Sequence, residues 1–453
     1  MKARRFRRMR NLGVLLFIGS LRLSGIAAEP KIIRLESRTF PDPIVWDSNY
    51  TACLAASDGR VYVGLNYHGA GASVAVYDPK TDTMRLLGDM NKITGQANLA
   101  VEPQAKVHTQ ICEGPDRKIY FGTHLSAFFG FATFPSPEGF PGGHWMVYDP
   151  KIDKVTDMGV ALKGNGLITM TIDPNRERLY ALTYPQAHFL CYDLKTGRTT
   201  DKGQVQNWDA ITRTLAVDDL GRIYGCWGRG KLYRYDPDKD VIENLQVQLP
   251  QREVGVPTYR AYWETEQTFT AVAHSPDHKK IYFLETGSSY LVEYDPHKGP
   301  EGEMKILDQI CADRYLGQRD VPYAMISFCR GRDNVIYYAC NSGTADEEGS
   351  PYWGGGLSAA LVTYDLNSGK REDKGLIRVE EGLTALNPNA ATVAPDGTIY
   401  FVAHVLEPAG KGRSISGMPA DIVLEKEPEN KKTMHEGQSY TLRLLIYRPE
   451  KKG

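Results

Sequence analysis

Over 453 residues, 54 Lys and Arg stand against 55 Asp and Glu, a formal net charge of −1. There is thus no global basic field to gather nucleic acid, and any polyanion has to be held by a local cluster. The 44 Gly, 26 Pro and 26 Tyr point to a turn-rich chain, and past the N-terminus no stretch is long enough to span a membrane.

Residues 1–10 carry Lys2, Arg4, Arg5, Arg7, Arg8 and Arg10, and residues 12–17 are apolar before the run weakens towards Ala27 and Ala28. A basic segment, a short apolar segment and small residues before Glu29 predict a secretory signal peptide over residues 1–28. Arg22 interrupts the run well short of the ~20 apolar residues of a membrane span. Residues 29–453 are then expected to be a single domain acting in the periplasm or outside the cell. The seven cysteines, Cys53, Cys112, Cys191, Cys226, Cys311, Cys329 and Cys340, are odd in number, scattered and without a C-x-x-C. In an exported chain this argues for buried thiols or a metal site and against a dense disulfide framework.

From residue 50 onward a repeat runs the length of the chain. An aliphatic-Tyr pair recurs at Val61-Tyr62, Ile119-Tyr120, Leu179-Tyr180, Ile223-Tyr224, Ile281-Tyr282, Ile336-Tyr337 and Ile399-Tyr400. Turn signals precede the pairs (SDGR, GPDRK, DPNRE, DDLGR, SPDHKK, GRDN, APDGT), and a Tyr-Asp follows six of them, at Tyr77, Tyr148, Tyr192, Tyr235, Tyr294 and Tyr364. The last unit has Tyr447-Arg448 instead. Each unit reads as four short strands: a small apolar strand a, strand b with the aliphatic-Tyr pair, strand c ending in Tyr-Asp, and strand d after a polar turn. Seven such units predict an all-β, seven-bladed β-propeller. The last unit lacks a strand d, and residues 32–37 are expected to supply it and close the ring, since a linear array would leave an edge open.

In that architecture the starts of a, the ends of b and the b–c loops gather at one end of the channel. Unit two inserts LSAFFGFATFPSPEGFPGG there, unit six SGTADEEGSPYWGGG, and unit seven a stretch from Val405 to about Gln438. Long loops on one face of a rigid scaffold are where function concentrates. His124 and Tyr184 occupy equivalent ends of strand b in units two and three. His144 and His188 occupy equivalent starts of strand c, and His108 and Arg213 lie near the starts of strand a in units two and four. Any one of these side chains is also a common hydrogen-bonding rim residue, and Arg213 could pair with a carboxylate such as Asp209, but together they are expected to converge on one rim. Arg with imidazole and phenol groups suits proton abstraction next to a carboxylate. The Arg, helped by a His, neutralises the carboxylate, a His or Tyr removes the α-proton, and a Tyr or His protonates the leaving oxygen. A glycoside hydrolase would want two convergent carboxyl groups, and outside Glu347 and Glu348 in the unit-six loop the rim offers no such pair.

The segments FGTHLSAFFGF…GGHWMVYD and TRTLAVDD make the chain resemble the propeller-fold ulvan lyases, secreted bacterial polysaccharide lyases. The resemblance implies β-elimination beside a uronic acid of an acidic polysaccharide, with His124 and His144 as the two His, Arg213 as the neutraliser and Tyr184 as the Tyr. His108, His188, Tyr259 and Tyr262 then contact substrate. It also implies a structural zinc, for which His274, Cys329, Cys340 and His404 are the candidates, two thiolates and two imidazoles being ordinary zinc chemistry. Cys329 shares its repeat position with Cys53 and Cys112, which favours a core thiol equally. Two other classes compete: a non-catalytic carbohydrate- or protein-binding propeller, which Phe128, Phe129, Phe131 and Phe134 would serve as well, and a metal-dependent hydrolase or lactonase, which a cationic Arg213 in the channel mouth disfavours.

Overall fold

The computed structural model describes residues 31–41, 46–126, 139–205, 212–250, 268–318, 321–322, 324–341, 358–408, 413–414 and 439–450. Among them only Met90–Ile93 and Asp313–Tyr315 are helical, and all else regular is strand. No helix among the described residues is long and apolar enough to cross a membrane.

The repeat translates into geometry through its aspartates. In each of the seven turns between strands a and b, an Asp carboxylate accepts the backbone N–H two residues on. The acceptors are Asp58, Asp116, Asp173, Asp218, Asp277, Asp333 and Asp396, at 2.9–3.3 Å. The Asp of every Tyr-Asp pair does the same at the c–d turn, from Asp78 to Asp365, at 2.9–3.1 Å. Such Asx-turns reverse the chain by lending the backbone a side-chain acceptor. Tyr447-Arg448 departs from the pattern, and among the described residues no c–d turn follows it.

The tyrosines are anchored by the same turns. Tyr62, Tyr120, Tyr224 and Tyr337 on strand b donate to the turn aspartates Asp58, Asp116, Asp218 and Asp333, at 2.7–3.0 Å. On strand c, Tyr77, Tyr148 and Tyr235 donate to Asp82, Asp153 and Asp240, at 2.7–2.9 Å. Those three aspartates have φ of 51–56°, a left-handed conformation that Asp tolerates better than most residues. Strand b is consequently buried along its length, as in Ile119–His124, and reads as an apolar run without alternation. Strand d, as in Arg198–Gln204, is largely exposed.

Among the described residues the strands pair into four sheets of four, one of five and one of ten. The first sheet, for example, runs Cys53–Ala55, Val61–Tyr67, Gly71–Asp78, Thr83–Leu86. Innermost strands lie side by side from sheet to sheet: Cys53–Ala55 against Ala391–Val393, that strand against Phe328–Arg330, and Phe328–Arg330 against Phe269–His274. The Val217 N–H donates to Nε2 of His274 (3.2 Å), and Ala216–Val217 lies against Gly166–Asp173, which packs on Ile119–His124. This is an all-β propeller. The structure forms fewer sheets than the seven blades expected from the sequence: the strands of units six and seven lie in one ten-stranded sheet. Ile32–Thr39 pairs antiparallel with the C-terminal strand Ser439–Tyr447 (Glu36 opposite Ile446) and parallel with Lys370–Val379 (Ile32 opposite Leu376). Of residues 32–37, only Glu36 and Ser37 pair with the last unit, in a run that continues to Thr39, whereas Ile32–Leu35 pair with Lys370–Val379 of unit six.

Two outcomes follow for stability. Deleting residues 31–40 removes buried Leu35 and Phe40 and bares two long strand edges, so soluble expression should be lost. A truncated protein with unchanged melting would refute this account. Asp218→Ala strands the buried Tyr224 hydroxyl, the Arg222 guanidinium and two backbone N–H groups. Urea melts should register a loss of about 2–4 kcal/mol, more than for Asp58→Ala, whose turn is exposed.

Candidate active site

The functional end is assembled from the repeat positions at the start of strand a and the end of strand b. Lys106–Val107 pairs with the end of Ile119–His124, placing Lys106 opposite His124. His108 follows directly. Its backbone carbonyl accepts from the Thr51 hydroxyl (2.5 Å) and its Nδ1 donates to the Ile168 carbonyl (2.7 Å), so one residue ties three sheets together. Arg213 sits half-buried between Thr212, whose hydroxyl accepts from the Cys226 N–H (2.8 Å), and Thr214, which donates to the Thr270 carbonyl (3.4 Å).

Around these backbone anchors the rings form a continuous wall. Tyr50 stacks on His108 at 4.2 Å and 19°, His108 lies 5.1 Å from His124, and His124 meets Tyr184 edge-on at 5.6 Å. Gly166, opposite Tyr184 in the register, makes room for the His124 ring: a β-carbon there would lie 2.2 Å from Nδ1. That Nδ1 is buried without a hydrogen-bond partner among the described residues. Lys106 Nζ stands 5.6 Å from the Tyr50 ring centre.

Burial sets the charge states. It holds His124 well below the ordinary imidazole range, with His108 and Lys106 adding to the effect, and it holds His108 there too, with Lys106 and Arg213 adding. Burial lowers Lys106 to about 7 against the pull of Asp47 and Glu102. It pushes Tyr184 up to about 12 and Tyr50 higher still, with the Arg213 charge opposing the latter. At neutral pH the wall thus presents neutral imidazoles and phenols beside the Arg213 guanidinium.

His124, Tyr184 and His108 are brought together as the sequence suggested, and Arg213 acts on the same group electrostatically. His144 and His188 are placed differently. His144 Nδ1 bonds Asp157 (2.8 Å) and His188 Nδ1 bonds Asp201 (2.8 Å), each carboxylate also accepting from a glycine N–H two residues on. This is a repeated brace between strands c and d. His144 is further held at Nε2 by the Gln96 amide (2.9 Å), which in turn accepts from Gln104 (3.0 Å). Both its ring nitrogens are occupied, so it stiffens the wall from behind and makes no ring contact with His124 among the described residues. Tyr259 and Tyr262, the Phe128–Phe134 insertion and Glu347 and Glu348 lie outside the described residues.

Four residues of the cluster escaped the sequence reading: Asp47, Tyr50, His68 and Lys106. Only Tyr50 carried a positional signal, since it precedes strand a of unit one as His108 does in unit two.

The zinc set does not fit. Strand register puts His274 opposite Ile281 and Cys329 opposite Tyr337, at the a–b turn end, whereas Cys340 lies opposite Ala360 and His404 opposite Leu386, at the other end. At about 3.3 Å per residue that separation exceeds 10 Å, while ligands of one zinc lie within ~2.3 Å of it. Each side chain is also engaged elsewhere. His274 Nε2 accepts from Val217, His404 Nε2 donates to the Asp47 carbonyl (2.7 Å), and Cys329 and Cys340 pack in separate apolar clusters. Burial raises both thiols, which opposes metal binding. Among the described residues no group of three or more His, Cys, Asp or Glu is placed to hold a metal ion.

No family model matches the chain, and no curated protein does. The folded chain is similar to solved propellers. A fungal alcohol oxidase of the AA5 family, in complex with copper, aligns over 91% of this chain and 76% of its own at TM-score 0.54 and 11% identity. The WD40 repeats of RRP9 align over 91% and 98% at TM-score 0.53 and 8% identity. The structure of U3-55K does so over the same shares at TM-score 0.53 and 7% identity. Likeness at this level is one of fold: the protein is a β-propeller, and its chemistry has to be argued from its own residues.

The buried lysine gives a measurable linkage. Between pH 7 and its unfolded value near ~10.4, Lys106 is deprotonated in the folded protein and protonated in the unfolded chain. Its contribution to stability therefore rises with pH across that window. Lys106→Met should be more stable than wild type at pH 7, and the difference should shrink by up to about 1.4 kcal/mol per pH unit towards pH ~9.5. Parallel urea melts at several pH values check this, since the thiols and phenols titrate alike in both proteins.

Proposed function

We propose that this protein is a polysaccharide lyase that cleaves a uronic-acid-containing, ulvan-like polymer by β-elimination. The observation that carries the reading is the wall of neutral rings, His108, His124 and Tyr184, beside the Arg213 guanidinium at one end of the propeller. Arg213, helped by an N–H of His124, receives the substrate carboxylate and stabilises the charge that builds on it as the α-proton leaves. Tyr184, which burial keeps protonated to about pH 12, hands its proton to the leaving glycosidic oxygen, since a departing alkoxide is more basic than a phenolate. The α-proton goes to an imidazole or phenol of the same wall. A glycosidase would need a carboxyl group kept protonated. The buried Asp47 is instead held below the usual carboxylate range, His68 outweighing its burial. The buried Glu102 accepts from the Ser126 amide.

In the same reading the ten-stranded sheet is two blades joined at the N-terminal strand, so the propeller has seven. The basic and apolar N-terminus directs export to where such polymers are met.

Incubation with a panel of uronate polymers tests the proposal, the product being an unsaturated uronate with its conjugated ultraviolet absorbance. Arg213→Ala should depress kcat by at least ~10²-fold, and Arg213→Lys should recover only part, a point charge replacing a bidentate fork. Tyr184→Phe should cost ~10²–10⁴-fold. His188→Ala, outside the wall, should stay near wild type. His144→Ala should cost stability, about 1–3 kcal/mol for the partners it strands, more than it alters the chemical step. Full binding of a polymer without any unsaturated product would replace the lyase by a carbohydrate-binding propeller.

A further inference from the structure

We infer that Tyr50 is the group that takes the α-proton, through a relay of Tyr50, His68 and Asp47; this rests on the lyase reading and assigns the base within it. Asp47 and His68 are both buried, and the Asp47 carboxylate accepts from the backbone N–H of His68 (2.7 Å) with one oxygen and from Nδ1 (2.8 Å) with the other. A carboxylate at Nδ1 fixes the proton on that nitrogen and leaves Nε2 as an acceptor. Nε2 faces the Tyr50 hydroxyl at 3.5 Å, the outer limit of a hydrogen bond, as pairs awaiting substrate often are.

The segment carrying Asp47 and Tyr50 is firmly placed. It runs along the end of Val61–Tyr67, the Asp47 N–H donating to the Asn66 carbonyl (3.0 Å) and the Asn66 N–H to the Ser48 carbonyl (3.0 Å). The Asn49 amide donates to the Ala52 and Gly64 carbonyls (3.0 and 2.7 Å). Tyr50 is then stacked on His108 and overhung by Lys106. The phenol stands inside the ring wall, within the electrostatic reach of Arg213.

Burial makes a free Tyr50 phenolate costly, and the relay avoids one. As the α-proton (on C5 of the uronate) reaches the phenol oxygen, the hydroxyl's own proton passes to Nε2 of His68. Tyr50 is neutral before and after, and the positive charge comes to rest on His68 against the Asp47 carboxylate. The C5–H electron pair becomes the C4=C5 double bond, the C4–O bond breaks with its pair on the leaving oxygen, and that oxygen takes the Tyr184 proton. His68 later releases one proton to water and Tyr184 recovers one, so the enzyme is restored.

The experiment uses the full chain and Tyr50→Phe, which keeps the stacked ring and removes only the hydroxyl, with His68→Gln and Asp47→Asn alongside. Tyr50→Phe and His68→Gln should each lower kcat on the active uronate polymer by ~10²–10⁴-fold, with KM nearly unchanged and melting temperature retained. Asp47→Asn should lower kcat less and add a His68 tautomer change. In ¹⁵N-histidine-labelled protein, His68 should carry its proton on Nδ1, and its Nε2 resonance should shift in Tyr50→Phe. If Tyr50→Phe keeps wild-type kcat while Arg213→Ala abolishes elimination, the relay is not the base although the lyase reading stands. If wild type yields no unsaturated product on any uronate polymer, the reading itself falls, and the assignment with it.

Discussion

Every unit of this propeller turns its chain on an aspartate carboxylate, and the architecture rests on that small bond. At the a–b turn the carboxylate receives the N–H two residues on, and in four units the neighbouring strand's tyrosine hydroxyl as well. A buried tyrosine carries a large apolar ring to the core but needs an acceptor for its oxygen. An unsatisfied one costs about 1–3 kcal/mol. The turn supplies that acceptor where the strand must reverse, so register, turn and core are fixed together. With this end of each unit committed to structure, the opposite end, where strands a begin and strands b finish, is left to vary. His124, Tyr184 and His68 stand there because nothing in the repeat prescribes their identity.

That division explains what the sequence disclosed. The aliphatic-Tyr and Tyr-Asp pairs were legible because each is a local pattern with a local cause, and the N-terminal strand was legible because a blade was one strand short. The fusion of the last two units was not, since the parallel pairing of Ile32 with Leu376 leaves no mark on either segment. At the site, His124, Tyr184 and Arg213 could be placed by repeat position. Asp47 and His68 could not, because their partnership spans 21 residues across a strand and a turn that the repeat does not index. His144 looked equivalent to a catalytic group until Asp157, 13 residues on, proved to hold it as Asp201 holds His188. The zinc set failed for a related reason: repeat position tells which strand a residue is on, while ligation depends on which end.

The site's electrostatics are those of a cavity prepared for an anion. Arg213 and Lys106 each lower the readiness of His108 to take a proton. A cation held in a dry place is costly, and a bound carboxylate relieves that cost. Neutral imidazoles and phenols are the proper companions, because they move protons without adding to the charge.

The pairing of Ser37 with the Arg443 guanidinium joins residues 406 apart in sequence, and this has a bearing on when the molecule can become whole. During synthesis the strand Ile32–Thr39 emerges long before its partner Ser439–Tyr447. Until Lys370–Val379 and Ser439–Tyr447 have been made, that strand has neither edge satisfied. Contacts of such separation form slowly and expose sticky edges in the interval. The middle sheets, whose strands are all near neighbours in sequence, can settle beforehand. The seam between the two ends is therefore the last part of the fold to set, and a chain halted short of residue 439 has no way to finish it.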